Sequence, residues 1–221
     1  MPLLRRVKRP PLHGEGLPNE GKYGESRVNC YVLIGGRSSR MGQPKADIRL
    51  EGRTFLERVS DAARPVFDEI VAVARADGGD VPLDGMRIIF ESPHREGGPV
   101  FGLIRALEDA GERKAWISAV DYPLLTKDLL CSLCGRFERS SSLMLVPRWN
   151  ERMQMLCAGY SGAMLPVIRA RVSGQRYDLR GLADPQWTTI VDEAELRRSF
   201  GGEPLRNVNT PDELDEVRRM V

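Results

Sequence analysis

Hydrophobic and polar positions alternate in blocks from Asn29 onward, and the blocks switch between strand and helix periodicity. Short apolar runs bounded by glycine, proline or polar residues predict strands, whereas apolar residues three and four positions apart predict helices. The predicted strands are 29–34, 69–74, 86–90, 115–119, 143–146, 154–158 and 187–191. The predicted helices are 54–64, 100–110, 126–137, 162–171 with Ser161 as its cap, a short helix beginning at Asp192 with a capping pattern, and a last helix with Thr210 as its cap.

This alternation predicts an α/β fold in which a mostly parallel sheet is covered on both faces. The length of 221 residues fits one domain with a short appendage, and no internal repeat is present. Ligands of such sheets bind beyond the carboxyl ends of the strands, so the loops that follow strands are the places to look for chemistry.

Residues 1–27 differ from the rest because they are rich in proline and glycine and carry a basic cluster at 5–9. They contain no apolar stretch long enough for a secretory signal. We expect a flexible tail at 1–27 and the folded domain at 28–221.

Composition excludes several function classes. Hydrophobic residues make up 41% of the chain and charged residues 29%, and the net charge is only +2, so neither nucleic acid nor a membrane surface is an expected partner. No apolar run approaches the roughly 20 residues of a membrane span. Cys131 and Cys134 have C-x-x-C spacing but lie in an amphipathic helical pattern, which favours helix packing over zinc or redox chemistry. Reduced thiols indicate the cytoplasm.

The most informative segment runs from Gly35 to Lys45, directly after a buried strand. Glycines let a phosphate approach backbone N–H groups, and Arg40 and Lys45 add positive charge where a triphosphate would lie. The spacing fits neither a Walker loop nor a dinucleotide fingerprint, and a surface turn is the competing interpretation.

Three further loops follow predicted strands or precede the last helix. Asp121 ends an apolar strand, and because Thr126 is the better helix cap, the Asp121 carboxylate is free to hold Mg²⁺ beside substrate phosphates. The loop 91–102 is long and glycine-rich, which indicates base recognition or a lid. Asn207 and Asn209 are either turn residues or suppliers of amide groups to a metal or phosphate.

Taken together, these motifs resemble those of the molybdenum cofactor guanylyltransferases, a family within the nucleotidyltransferase superfamily. Residues 33–45 resemble the family signature L-x-G-G-x-S-x-R-M-G-x-x-K, 98–102 resemble G-P-L-x-G, 121–123 resemble the D-x-P metal motif, and 207–214 resemble N-x-N-T-P-x-D/E-L. The resemblance runs in order from about residue 29 to the end of the chain.

The resemblance implies a Rossmann-like, doubly wound enzyme that transfers GMP from GTP to molybdopterin, the molybdenum cofactor, with Mg²⁺, and releases pyrophosphate. It implies that Lys45, Arg40 and Asp121 are catalytic and that Asp121 binds the metal. The nucleotide-binding residues that it implies are Leu33, Ile34, Gly35, Gly36, Lys45, Glu91 and Asp121. It places Asn207 and Asn209 on the pterin or metal side. Molybdoenzymes or cofactor-handling proteins are the expected protein partners.

Two residues depart from the family pattern and leave the base specificity open. Pro44 before Lys45 is more typical of the related cytidylyltransferases, which use CTP, and Glu91 stands where the family usually has Asp. Two more functions are compatible with the same motifs: a nucleotidyltransferase that acts on a sugar phosphate, and a non-catalytic carrier of nucleotide or cofactor.

Overall fold

A central sheet of buried apolar strands organises the molecule. The computed structural model describes residues 28–35, 41–75, 85–93 and 98–221. Its strands are β1 (Asn29–Leu33), β2 (Arg49–Leu50), β3 (Arg53–Thr54), β4 (Ile70–Ala74), β5 (Arg87–Phe90), β6 (Lys114–Ala119), β7 (Met144–Trp149), β8 (Arg152–Met153), β9 (Cys157–Ser161) and β10 (Thr188–Val191). Every residue of β4 is buried, as expected of a strand that is covered on both faces.

The main sheet has the strand order β10–β7–β9–β6–β1–β4–β5, with β8 paired to β7. Strand β1 is parallel to both of its neighbours, β4 and β6. The chain passes from β1 to β4 on one side and returns to β6 on the other, so the ends of β1 and β6 border the crevice where α/β sheets bind ligands. Strand β9 is antiparallel to β6 and β7, and the sheet is mostly parallel as predicted.

Helices cover both faces of this sheet. They are α1 (Phe55–Ala63), α2 (Val100–Ala110), α3 (Lys127–Arg139), α4 (Leu165–Ser173), α5 (Glu193–Ser199) and α6 (Pro211–Arg218), with single 3₁₀ turns at Lys45–Asp47, Gly162–Met164 and Arg180–Leu182. One apolar core contains side chains of α1, α3, α5 and α6, and a second core on the opposite face contains those of α2 and α4. The predicted α/β class with both faces covered is confirmed.

Sequence-predicted helix caps explain where several helices begin. The hydroxyls of Thr54, Thr126 and Thr210 accept hydrogen bonds from the backbone N–H three residues ahead. Thr54 and Thr210 also belong to complete capping boxes, in which a glutamate returns the bond to the cap residue.

Three predicted elements differ from the structure. The strand predicted at 154–158 begins at Cys157, because the side-chain amide of Gln154 bonds to two backbone carbonyls and makes 154–156 a turn. The helix predicted at 162–171 starts as a 3₁₀ turn capped by Ser161, and α4 begins at Leu165 because Pro166 fits only the first turn of a helix. Asp192 precedes α5 but its side chain makes no cap hydrogen bond.

The predicted helix packing of the cysteine pair is confirmed, since Cys131 and Cys134 lie in α3 and pack in the apolar core on the α3 face of the sheet. All four cysteines are free thiols. In the part of the chain that the structure describes, no helix combines the length and apolarity that crossing a bilayer requires. The predicted tail at 1–27 lies outside the described residues.

Candidate functional site

Three of the sequence-predicted site residues meet at the carboxyl edge of the sheet. The Lys45 ammonium lies 3.1 Å from Asp121 Oδ2 and donates to Asn209 Oδ1 at 2.6 Å. These residues are 76 and 164 positions apart from Lys45 in the chain, so only the fold brings them together. An ammonium between a carboxylate and an amide oxygen is held in one place, ready for a further anionic ligand.

Backbone hydrogen bonds position this cluster. The N–H of Val120 donates to Leu33 O at 3.3 Å, which ties the end of β6 to the end of β1. The N–H of Val208 donates to Asp121 O at 2.9 Å, which ties the turn before α6 to the same point. Lys45 is the first residue of a 3₁₀ turn that follows Pro44. Three separate chain segments are therefore fixed around one spot.

The two carboxylate oxygens of Asp121 have different surroundings. Its Oδ2 faces Lys45, whereas its Oδ1 is buried and has no hydrogen-bond partner among the described residues. A buried, unpartnered carboxylate oxygen is costly unless another group binds it, and a hard divalent cation is such a group. The described residues contain no cluster of three His, Cys, Asp or Glu side chains that would hold a metal unaided. The donor set fits a cation that shares its ligands with substrate phosphates.

A second group of residues lies after the neighbouring strands. A Cβ built on Gly35 would lie 3.0 Å from the backbone N of Arg75 and 3.5 Å from Glu91 Oε1, and a Cβ on Gly102 would lie only 2.9 Å from the same Glu91 oxygen. Glu91 is buried, with 7% of its surface exposed. The absence of side chains at both glycines therefore makes room for a buried carboxylate beside the end of β1.

A cleft of about 760 Å³ opens beside the cluster. Asn207 and Asn209 line it on one side, and the hairpin that joins β7 and β8 lines it on another. Two exposed arginines, Arg152 and Arg180, also border the cleft, and neither makes an ion pair within the described residues. The cleft therefore combines apolar surface with two arginines that lack an ion-pair partner among the described residues, and the carboxylates of Asp178 and Glu213 also line it.

The remaining predicted site residues include both described and undescribed positions. Leu33, Ile34 and Gly35 end β1 or follow it directly, and Asn207 lies on the cleft wall. Arg40 and Gly36 lie outside the described residues.

Sequence reasoning missed the side chains that connect the cleft to Asp121. Tyr122 and Gln154 are both buried and hydrogen-bonded to each other, and the hairpin turn at Asn150 has a positive φ of 47°. The dipeptide of asparagine and glutamate between two apolar runs was the available signal for a turn at this point.

Comparisons with known proteins identify the family of the chain. The family model described as MobA-like NTP transferase domain matches residues 30–188. The molybdenum cofactor guanylyltransferase of Desulfosudis oleivorans is 30% identical over 204 residues, which covers 88% of this chain and 96% of the relative.

Two crystal structures show the same fold. Molybdopterin-guanine dinucleotide biosynthesis protein A of Archaeoglobus fulgidus matches with a TM-score of 0.70 and 20% identity, over 87% of this chain and 97% of its own. The 2-C-methyl-D-erythritol 4-phosphate cytidylyltransferase of Thermus thermophilus matches with a TM-score of 0.63 and 18% identity, over 87% and 98%.

Proposed function

The chain belongs to the MobA-like NTP transferase domain family of nucleotidyltransferases, and on this basis we propose that it transfers GMP from GTP to molybdopterin and releases pyrophosphate. The catalytic unit in this proposal is residues 28–221. The observation that carries the proposal is the contact of Lys45 with both Asp121 and Asn209 at the crevice between β1 and β6. A non-catalytic carrier would gain little from a buried carboxylate with an unpartnered oxygen, which supports an enzyme over a binding protein.

The proposed reaction is an in-line substitution at phosphorus. A phosphate oxygen of the acceptor forms a bond to the α-phosphorus of GTP, the bond from that phosphorus to the β-bridging oxygen breaks, and pyrophosphate leaves with the electron pair. The acceptor phosphate is already ionised near neutral pH, so the site needs no strong general base. Its main task is to bring two polyanions together.

Lys45 and Asp121 divide this task. The Lys45 ammonium, held by its two neighbours, stabilises the negative charge that develops on the phosphoryl oxygens. Asp121 Oδ1 and the GTP phosphates would hold Mg²⁺, which supplies charge neutralisation between the phosphates. Arg40, which falls in the same glycine-rich segment, is proposed to add a second positive charge.

The nucleotide and the acceptor occupy opposite sides of Asp121 in this proposal. Leu33, Ile34, Gly35 and Gly36 are proposed to contact the nucleoside and its phosphates, with Glu91 beside the base or ribose. The cleft bordered by Asn207 and Asn209 takes the acceptor. Its exposed arginines, Arg152 and Arg180, suit an acceptor that carries a phosphate ester.

Cytidylyl transfer is the second candidate, and Pro44 is the residue that favours it. A proline before the site lysine is more typical of the CTP-dependent relatives. The names of the curated relatives favour guanine, and we therefore put GTP first.

Measurement of pyrophosphate release tests the proposal. Purified protein is mixed with Mg²⁺, molybdopterin and one of the four nucleoside triphosphates, with reactions lacking acceptor or metal as controls. We expect release with GTP that depends on both acceptor and metal. Release with CTP alone would overturn the choice of base, and nucleotide binding without release under any condition would favour the carrier.

The four free thiols agree with a reducing compartment, and we propose the cytoplasm as the site of action. Proteins that take up the finished cofactor are the proposed partners.

A further inference from the structure

A buried polar bridge joins the cleft to the site carboxylate. Tyr122, the residue after Asp121, is only 2% exposed, and its hydroxyl donates to Gln154 Oε1 at 3.1 Å. Gln154 is itself only 8% exposed.

The other end of Gln154 holds the hairpin that forms one wall of the cleft. Its Nε2 group donates to Trp149 O at 3.0 Å and to Arg152 O at 3.1 Å, the two ends of the turn between β7 and β8. Both N–H groups and the carbonyl oxygen of this amide are thus used, which fixes the orientation of the side chain. We call residues 149–155 the hairpin wall.

The hairpin wall is rigid on its outer side as well. The Arg197 guanidinium stacks 4.1 Å from the Trp149 ring centroid, and the Trp149 indole N–H donates to Glu203 at 3.0 Å. The backbone N–H of Glu151 donates to the Glu193 carboxylate at 3.1 Å. The hairpin wall is therefore held by contacts on its outer side and by the hydrogen bond to Tyr122 on its inner side. These contacts fix its position relative to Tyr122.

We propose that Tyr122 and Gln154 are positioning residues that hold the hairpin wall at a fixed distance from the Asp121 carboxylate. The bridge sets where an acceptor seated in the cleft lies relative to the phosphates at Lys45 and Asp121. The rate of group transfer depends steeply on this distance, since a misplacement of about 1 Å can lower the rate on the order of 100-fold. In the proposed function the nucleotide lies on the other side of Asp121, so we expect nucleotide binding not to depend on the bridge.

The inference rests on the proposed function, and the primary variant is Tyr122→Phe, which removes one oxygen and keeps the ring. We expect kcat for pyrophosphate release to fall about tenfold at saturating GTP and acceptor. We expect the affinity for Mg²⁺ and GTP, measured by calorimetry without acceptor, to stay within about twofold of the wild type.

Tyr31→Phe is the matched control. Tyr31 is also fully buried and its hydroxyl donates to Asp109 Oδ2 at 2.9 Å, at the opposite edge of the sheet from Asp121. Both variants lose one hydrogen bond of a buried tyrosine, so their melting temperatures should fall by similar amounts. Only Tyr122→Phe should lose kcat.

Gln154→Leu and the double variant test the bridge itself. If both residues act through one hydrogen bond, then Tyr122→Phe added to Gln154→Leu should lower kcat no further than Gln154→Leu alone. If Gln154→Leu does not fold, the comparison of the two tyrosine variants decides. A kcat of Tyr122→Phe within twofold of the wild type, an equal loss in Tyr31→Phe, or multiplicative losses in the double variant would each overturn the inference. If the wild type itself releases no pyrophosphate, it is the proposed function that fails.

Discussion

Lys45 has three N–H donors, and two of them are committed. One N–H points to Asp121 and one to Asn209. Among the residues that the structure describes, the third N–H has no partner and is available to a ligand. We expect Lys45→Met to lower kcat/KM for GTP by about 10²–10³, because a charge positioned before the reaction begins is lost. Steady-state pyrophosphate release measures this.

Lys127→Met is the control for the Lys45 variant. Lys127 is exposed at the first turn of α3, so its removal changes the net charge equally without touching the site. Equal activity in the two variants would show that Lys45 serves only general electrostatics.

Substitution of Gly102 tests the proposed nucleotide site through the space beside Glu91, whereas substitution of Lys45 tests it through charge. A Cβ at this position would lie 2.9 Å from Glu91 Oε1 and 3.2 Å from Leu33 Cδ2, so Gly102→Ala must displace the Glu91 carboxylate. We expect the Kd for GTP, measured by calorimetry, to rise about three- to tenfold. Gly201→Ala is the control, since its Cβ would meet no atom within 4 Å. An unchanged Kd for GTP in Gly102→Ala would contradict the proposed place of Glu91 in the nucleotide site.

At the scale of elements, the start of α6 links helix capping to the site. Glu213 accepts from the N–H of Asn209 at 2.6 Å as well as from that of Thr210 at 3.2 Å, so the capping box also fixes the residue that contacts Lys45. We expect Thr210→Ala to cost about 1 kcal/mol of stability and also to lower kcat several-fold, because Asn209 loses its fixed orientation.

Thr54→Ala separates these two effects. Thr54 caps α1 with the same capping box but has no contact with the site residues. Denaturant unfolding should show a similar loss of stability in both variants, whereas activity should fall only in Thr210→Ala. Parallel losses of activity would mean that the cap acts through stability alone.

The type of an element was predictable where the element is long enough to show the apolar periodicity of a strand or a helix. The strand at 29–34 and the helix at 54–64 were each predicted to within a residue, because long apolar runs and threonine caps mark them. The two-residue strands β2, β3 and β8 escaped prediction because two residues show no period. The predicted position of β9 was wrong for a different reason: the side-chain amide of Gln154 bonds to the backbone carbonyls of Trp149 and Arg152, and the apolar pattern does not reveal such side-chain bonds.

The site was predictable only as separate loops. Sequence motifs identified Lys45, Asp121 and Asn209, but nothing in the spacing indicated that one ammonium would contact both other side chains. The Tyr122–Gln154 bridge was not predictable at all, since both residues are ordinary members of apolar stretches until the fold makes them neighbours.

At the scale of the whole molecule, the site and the charged network of Arg87 lie at opposite edges of the sheet. The site lies at the carboxyl ends of β1 and β6. At the amino ends, the Arg87 guanidinium pairs with Glu69 at 2.8 Å and with Asp109 at 2.8 Å, and Asp109 also accepts from the buried Tyr31 hydroxyl at 2.9 Å. This separation implies that substitutions in the Arg87 network change stability without changing activity.

Acid unfolding tests that separation. Hydrogen bonds from Arg87 lower the pKa of both the Glu69 and Asp109 carboxyls below their ordinary values of 4.5 and 3.8. A carboxyl whose pKa is lowered in the folded state stabilises the fold above its ordinary pKa, and this contribution is lost as the pH falls through the lowered value. We expect Arg87→Met to lower the free energy of unfolding by on the order of 1 kcal/mol at pH 7, with the difference from the wild type shrinking below about pH 4.

Arg64→Met is the control for this last substitution, because Arg64 is exposed and makes no ion pair within the described ranges. Urea unfolding from pH 7 to pH 3 should show a pH-dependent difference for Arg87→Met only. Pyrophosphate release at pH 7 should be unchanged in both variants, since the Arg87 network lies at the far edge of the sheet from Asp121. A loss of activity in Arg87→Met at a temperature where it is fully folded would mean that the amino edge communicates with the site through β1, the strand that Asn29 and Tyr31 tie to this network.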